Sequence, residues 1–255
     1  MPVAYRLHTQ YKDAEDFKRL DFIVSSIRKK CPAAARILDI GCGNGNISRA
    51  LGSLGYRVVG VDIDPESVEK AKQQNTFPNV RYEISDAQEY ISTGSFDAVV
   101  CSEVLEHLTD PEALVKTISQ ILEPGGLFIA TVPNGYGPRE SFITKPAQWL
   151  IRNGCEKPLI KIKKSMGYGD GTLQSSNADL THVRFFTKKG LFRLVQNEGF
   201  RLEQFRKADT FERVFPFSLL TRRIYALQKL DCFLADYMPA ALSSGFYTSW
   251  IKTGG

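Results

Sequence analysis

Three glycines at alternate positions, Gly41, Gly43 and Gly45, follow the acidic strand end Asp39-Ile40 in this chain of 255 residues. A turn without side chains lets a ligand lie against main chain that a Cβ would block. Downstream, Val58-Val59-Gly60-Val61-Asp62 is a second apolar run with a carboxylate at its tip, and Asp62 falls 21 residues after Gly41. A carboxylate at the end of the second strand can hold both hydroxyls of a ribose. The pattern therefore reads as strand, glycine turn, helix, strand and acidic tip, which is a nucleotide-binding crevice at the start of an α/β sheet. A dinucleotide fingerprint needs its third glycine one place later, and Asn46 stands there. The competing reading is a tight βα turn that holds no ligand.

The elements that must position these groups are legible along the chain. Phe17, Leu20, Ile23, Val24 and Ile27 recur at helical spacing, so an amphipathic helix runs from Asp16 to Lys30 and stops at Cys31-Pro32. Strand one is expected at Arg36–Ile40, a helix from about Asn46 to Leu54, and strand two at Arg57–Val61. Asp64-Pro65-Glu66 and Asp110-Pro111-Glu112 each combine an N-cap carboxylate, proline at the first helical position and a first-turn glutamate. This assigns Asp64 to a cap and leaves Asp62 for a ligand. Further strands are expected at 80–84, 96–101, Leu127–Val132, Phe200–Phe205 and 245–251, with a helix over Thr187–Asn197 ended by Gly199. Phe217–Met238 reads as one apolar helix whose stripe of Leu219, Leu220, Ile224, Leu227, Leu230, Phe233 and Leu234 is expected in the core. A membrane surface or dimer contact is the alternative.

With 43% hydrophobic residues the chain can bury one good core. The expected organisation is a single α/β domain: a doubly wound, mostly parallel seven-stranded sheet with helices on both faces. Its parts are a helical cover (1–34), a cofactor-binding half (35–132), a lid or substrate insertion after strand five (133–186) and C-terminal helices with the last two strands (187–255). Glycines and prolines crowd 133–180 around a short helix at Pro146–Arg152, and a loop of such length is usually functional. No apolar run approaches the roughly 20 residues that span a bilayer. The first residues lack the apolar stretch of a signal peptide, so a cytoplasmic location is expected. The five cysteines (31, 42, 101, 155 and 232) show no paired spacing and suit reduced thiols. Charge is divided unevenly: residues 1–138 carry 14 Lys+Arg against 18 Asp+Glu, and residues 139–230 carry 18 against 8. A basic second half, including Lys161-Ile162-Lys163-Lys164, suggests an anionic partner. Nucleic acid is disfavoured, because no RNA-binding module or base-gripping Asn-Pro-Pro-Tyr-type motif is present.

The order of motifs resembles the class I, seven-stranded S-adenosylmethionine-dependent methyltransferases over roughly residues 35–132. Asp39 through Asn46, Asp62, Ser85-Asp86-Ala87, Ser102-Glu103 and Leu122-Glu123-Pro124-Gly125-Gly126 fall where that family has its motifs. The nearest in look are the ubiquinone-pathway O-methyltransferases. The resemblance implies S-adenosyl-L-methionine as cofactor, with Gly41, Cys42, Gly43 and Gly45 forming the turn, Asp39 supporting the methionine end and Asp62 on the ribose. Beside the adenine it places Ile63, Asp86 and Ala87, and Ser102 and Glu103 border the cofactor. It implies transfer of a methyl group, most simply to oxygen, on a small or carrier-linked acceptor that the basic half suggests is anionic.

A hydroxyl acceptor is helped by a general base, whereas a carboxylate acceptor needs none. His8 lies in the N-terminal arm, which leaves His107 and His182 as catalytic candidates. His107 closes Glu103-Val104-Leu105-Glu106-His107, behind the fourth strand. In the ubiquinone-pathway enzymes such an E-x-x-E-H is associated with a divalent metal. The same groups can instead hydrogen-bond their loop and cap helices, and no metal is assigned here. Related small-molecule enzymes often carry a histidine at the place of His182, with Arg184, Phe185 and Phe186 as an anion clamp and aromatic walls.

Overall fold

A computed structural model describes residues 3–90, 95–138, 141, 145, 149, 183–210, 218–221 and 224–254. After a short 3-10 turn at Ala4–His8, helix α1 spans Ala14–Lys30. Then come β1 (Arg36–Ile40), α2 (Asn46–Gly52), β2 (Arg57–Asp62), α3 (Pro65–Gln74) and β3 (Val80–Ile84). β4 (Phe96–Ser102), α4 (Pro111–Ile121) and β5 (Leu122–Pro133) follow. The last elements are α5 (Lys188–Asn197), β6 (Phe200–Lys207), α6 (Ser218–Thr221), α7 (Tyr225–Ala235) and β7 (Gly245–Lys252). The seven strands form one sheet in the order β3-β2-β1-β4-β5-β7-β6. β1 to β5 pair in parallel, and β7 runs antiparallel to both β5 and β6.

Strand side chains alternate between two cores, as the period of two demands. Ile37, Val58, Ala98, Val100 and Ile129 join α1, α2 and α3 on one face. Leu38, Ile40, Val59, Val61, Val99 and Phe128 join α4 and α5 on the other. Both faces are covered, so the parallel strands read as continuous apolar runs rather than alternating ones. Local chemistry sets the helix starts. The Asp64 carboxylate accepts from the Glu66 and Ser67 amides, Asp110 accepts from the Ala113 amide, and the Thr187 hydroxyl accepts from the Gly190 amide. At each place the side chain satisfies a donor that the first turn leaves open.

Two expectations about the C-terminal third are corrected. The apolar run from 217 to 238 is not one helix: Ile224 adopts an extended conformation between α6 and α7. Most of its apolar stripe is not core either; Leu227 is half-buried, and the Leu219 side chain lies outside the described residues. Leu220, Ile224, Leu230, Phe233 and Leu234 are exposed, while Gln228, Asp231, Cys232 and Ala235 face inward. The inward polar groups meet partners that apolar side chains cannot serve: Gln228 accepts from the Ala14 amide and donates to the Thr221 carbonyl, and Asp231 accepts from the Thr210 amide. β5 also starts earlier than its apolar run, at Leu122, which pairs with Phe96 across a register shift. Of the short helix expected at Pro146–Arg152 residue 149 alone is described, and the lysine cluster at 161–164 lies outside the described residues.

Candidate functional site

The carboxyl ends of β1 and β4 lie side by side where the strand order reverses, with β2 and β3 on one flank and β5 on the other. Open α/β sheets bind ligands in the crevice at that point. The glycine turn leaves β1 there. Gly41, Gly43 and Gly45 have φ of 67°, 50° and 76°, a region that costs any residue with a Cβ. Much of the glycine requirement comes from the protein's own packing. A Cβ on Gly41 would meet Val104 Cγ2 at 2.2 Å, and one on Gly45 would meet the Tyr82 hydroxyl at 2.4 Å. The turn is also braced from β2, since the Gly41 and Cys42 amides donate to the Val61 carbonyl at 2.8 and 3.0 Å.

Asp62 is half-buried at the tip of β2. Its Oδ2 accepts from the Gly43 amide at 2.8 Å and its Oδ1 from the Asp64 amide at 2.9 Å. Each oxygen has therefore spent one acceptor site on main chain and keeps another for a hydroxyl. Burial raises its pKa, and the two amide bonds oppose that rise. Asp39 lies deeper, almost fully buried, with Oδ2 accepting from the Ser48 hydroxyl at 2.6 Å. Burial pushes its carboxyl up to about 7; the Ser48 bond pulls it down and the nearby Asp62 charge pushes it up. The buried Cys42 thiol is held well above its ordinary value by the same desolvation.

On the lip, Ile63 is 63% exposed, an apolar side chain presented to solvent beside the Asp62 carboxylate. Asp86 accepts from the Gln88 amide at 2.8 Å, and Ala87 packs onto the second core. The N-terminal arm is tied to the turn: Arg49 donates to the His8 and Asn44 carbonyls, and the Gln10 amide donates to Asn46 Oδ1.

The opposite wall holds a polar network the sequence did not announce. Glu103, at the end of β4, has φ of 59°, unusual for a residue with a side chain. Its carboxylate accepts from the Thr131 hydroxyl at 2.9 Å, and the Ser102 hydroxyl lies 2.9 Å from the same Thr131 oxygen. A hydroxyl has one proton, so Ser102 donates to Thr131 and Thr131 to Glu103. Arg19 of α1 lies fully buried against this wall, 2.6 Å from Asp16, 3.6 Å from Glu15 and 3.9 Å from Glu103. The Tyr247 hydroxyl donates to Glu15 at 2.5 Å. The amphipathic period of α1 gave only its apolar side; Glu15, Asp16 and Arg19 are buried where α1 packs on β5 and β7.

Behind β4, Leu105–His107 forms a 3-10 turn with Glu106 buried and His107 partly buried, His107 Nε2 standing 3.7 Å from Glu106 Oε1. Glu103 turns toward Thr131 and Arg19 while Glu106 turns toward His107, and among the described residues no group of three or more acidic, His or Cys side chains is placed to hold a metal ion. The Glu106 carbonyl accepts from the Val183 and Arg184 amides, so the chain returning from 133–182 is fastened to the His107 turn. His182 itself lies outside the described residues. Arg184 is not an open anion clamp: its guanidinium donates to the Thr109 carbonyl at 2.7 Å and reaches Glu112 at 3.5 Å. Phe186 is buried in the second core rather than lining a wall.

The glycine turn, the half-exposed Asp62 carboxylate and the apolar Ile63 fit a nucleoside: a carboxylate for two hydroxyls beside an apolar surface for a base. A family profile described as a methyltransferase domain matches residues 11–204, which include every group above except His8, Gln10 and Tyr247. The chain belongs to the methyltransferase-domain family. Curated relatives named ubiquinone biosynthesis O-methyltransferase, from Xanthomonas axonopodis pv. citri and Xanthomonas oryzae pv. oryzae, are 37% and 38% identical over 119 residues, 45% of this chain and 48% of theirs. This methyltransferase-family chain thus spans about half the length of the curated relatives it matches. Among solved structures, magnesium protoporphyrin IX methyltransferase from Synechocystis PCC 6803 with bound S-adenosylhomocysteine superposes with a TM-score of 0.58 at 15% identity, covering 94% of this chain and 84% of that one. A Methanosarcina mazei S-adenosylmethionine-dependent methyltransferase gives 0.58 at 21%, covering 90% and 98%. At these identities the superpositions speak for the fold alone.

Proposed function

We propose that this chain transfers a methyl group from S-adenosylmethionine to the oxygen of a small or carrier-linked acceptor. The observation that carries the reading is the methyltransferase-domain match across 11–204, laid over a crevice whose turn, Asp62 and Ile63 suit a sulfonium nucleoside. When bound, that cofactor supplies a methyl group already activated by its sulfonium charge. The chain's own work is then to hold, orient and exclude water. Asp62 holds the ribose hydroxyls, Ile63 and Ala87 cover the adenine with Asp86 at its edge, and Asp39 backs the turn. Ser102, Thr131 and Glu103 form the wall that faces the acceptor. His107 is the candidate base in the described part of the site, its Nε2 lying 3.7 Å from Glu106 Oε1. His182 is the second candidate. Oxygen as the acceptor atom rests on the relatives' names, and an anionic acceptor rests on the basic charge of residues 139–230.

The test is transfer of label from methyl-labelled S-adenosylmethionine to a panel of phenols, carboxylic acids and amines, alongside melting curves with S-adenosylhomocysteine and with NAD. Labelled methyl ethers and stabilisation by S-adenosylhomocysteine are expected. Stabilisation by NAD alone overturns the reading, and labelled amines without ethers overturn its oxygen part.

A further inference from the structure

α7 is largely turned inside out relative to a helix on a protein in water: Gln228 and Asp231 face the interior, while Tyr225, Leu230, Phe233 and Leu234 face out. Leu230, Phe233, Leu234 and Tyr237 follow helical spacing down one side and are all exposed, and Tyr225 and Leu220 extend the surface at its start. Tyr237 is 76% exposed and Leu220 61%. Scattered exposed apolar residues are ordinary; a stripe of six large ones on adjoining helices marks a contact surface.

The charges say which contact. Among the described residues from 218 to 242, Lys229 is the exposed charge. The two acids of this stretch are engaged elsewhere: Asp231 accepts from the Thr210 amide in the interior, and Asp236 pairs with Lys18 at 3.1 Å. The sequence adds Arg222 and Arg223 between α6 and α7. An apolar stripe with Lys229 beside it, its acids buried or ion-paired, and a tyrosine toward each end is the chemistry of a helix lying in the interface of an anionic bilayer. A second copy fits less well, since a two-fold contact sets Lys229 against the same basic surface with no described carboxylate to meet it.

We propose that α6 and α7 dock the protein on anionic lipid, with Leu230, Phe233 and Leu234 entering the apolar boundary and Lys229 meeting headgroups. The same helix is anchored to the site through α1: Gln228 accepts from the Ala14 amide, and Lys18 donates to the Cys232 carbonyl at 2.5 Å. α1 also carries Arg19 against the β4 wall.

Flotation of the full chain with phosphatidylcholine vesicles, with and without phosphatidylglycerol, tests this. Binding to the mixed vesicles is expected to be at least about tenfold tighter and to weaken with salt. Leu230→Asp with Phe233→Asp should lose about 100-fold in binding. Because both positions are exposed, the double variant should keep its melting temperature, which separates lost docking from lost folding. Lys229→Glu should reduce the preference for the anionic vesicles. Three results overturn the proposal: no flotation with either vesicle, equal binding by the double variant, or a dimer in light scattering that the double variant converts to monomer.

Discussion

At the scale of single residues, Asp62 does two jobs that the sequence separated into one. It ties the glycine turn to β2 through the Gly43 amide, and in the proposed function its remaining lone pairs take the ribose hydroxyls. Asp62→Ala should therefore weaken S-adenosylhomocysteine binding by about 1–3 kcal/mol, roughly 5- to 150-fold, as measured by titration calorimetry. It should also lower the melting temperature of the ligand-free protein. Unchanged affinity removes Asp62 from the site. Asp39 makes a pH prediction whose sign runs against the usual carboxylate. Between its ordinary value of 3.8 and about 7, the folded protein keeps a proton that the unfolded chain has released. Each rise in pH through that window thus favours unfolding, with the effect complete above about 7. Asp39→Asn should remove that slope, so its stability relative to the parent should increase from pH 4 to 7 in urea titrations. A constant difference over that range contradicts the raised pKa.

Among the elements, the two aspartates flanking Ile63 separate cap from ligand contact. Asp64 caps α3 through two amides. Asp64→Ala should cost about 1 kcal/mol in chemical denaturation and leave S-adenosylhomocysteine affinity unchanged, the opposite pattern to Asp62→Ala. Joint loss of affinity in both variants would show that the start of α3, not the carboxylate of Asp62, sets binding. α1 makes the second prediction at this scale. Arg19→Leu leaves Glu15, Asp16 and Glu103 without their shared cation in a buried place, so stability should fall by about 3–5 kcal/mol. Adding Glu103→Gln should recover part of the loss. If the two changes simply add, Arg19 and Glu103 are not coupled.

For the whole molecule, a ligand that binds only the folded state stabilises it by mass action. At 100 times its dissociation constant, S-adenosylhomocysteine should add about 2.7 kcal/mol. For a domain of this size that is about 5–10 °C in melting temperature. NAD at the same concentration should leave the curve in place. No helix among the described residues is long and apolar enough to cross a membrane.

The sheet and its cofactor side were legible in the sequence because their signals are local. β1 has the boundaries its apolar run at Arg36–Ile40 predicts, β3 lies at the expected Val80–Ile84, and Asp64 and Asp110 cap helices through amides two or three residues away. A turn, a cap and a buried strand each depend on neighbours along the chain. Other features depend on neighbours the fold brings from afar. The glycines at 41 and 45 are needed against Val104 and Tyr82, Arg184 is engaged by Thr109, and α7 buries Gln228 and Asp231 because the Ala14 and Thr210 amides wait there. Periodicity locates an apolar stripe but says nothing about which side of a helix finds unsatisfied main chain. The sequence alone determined the order of strands and the place of the crevice. Only the tertiary structure decided what walls it and which face of the last long helix looks outward, since buried polar groups must be paired and their partners lie up to two hundred residues away.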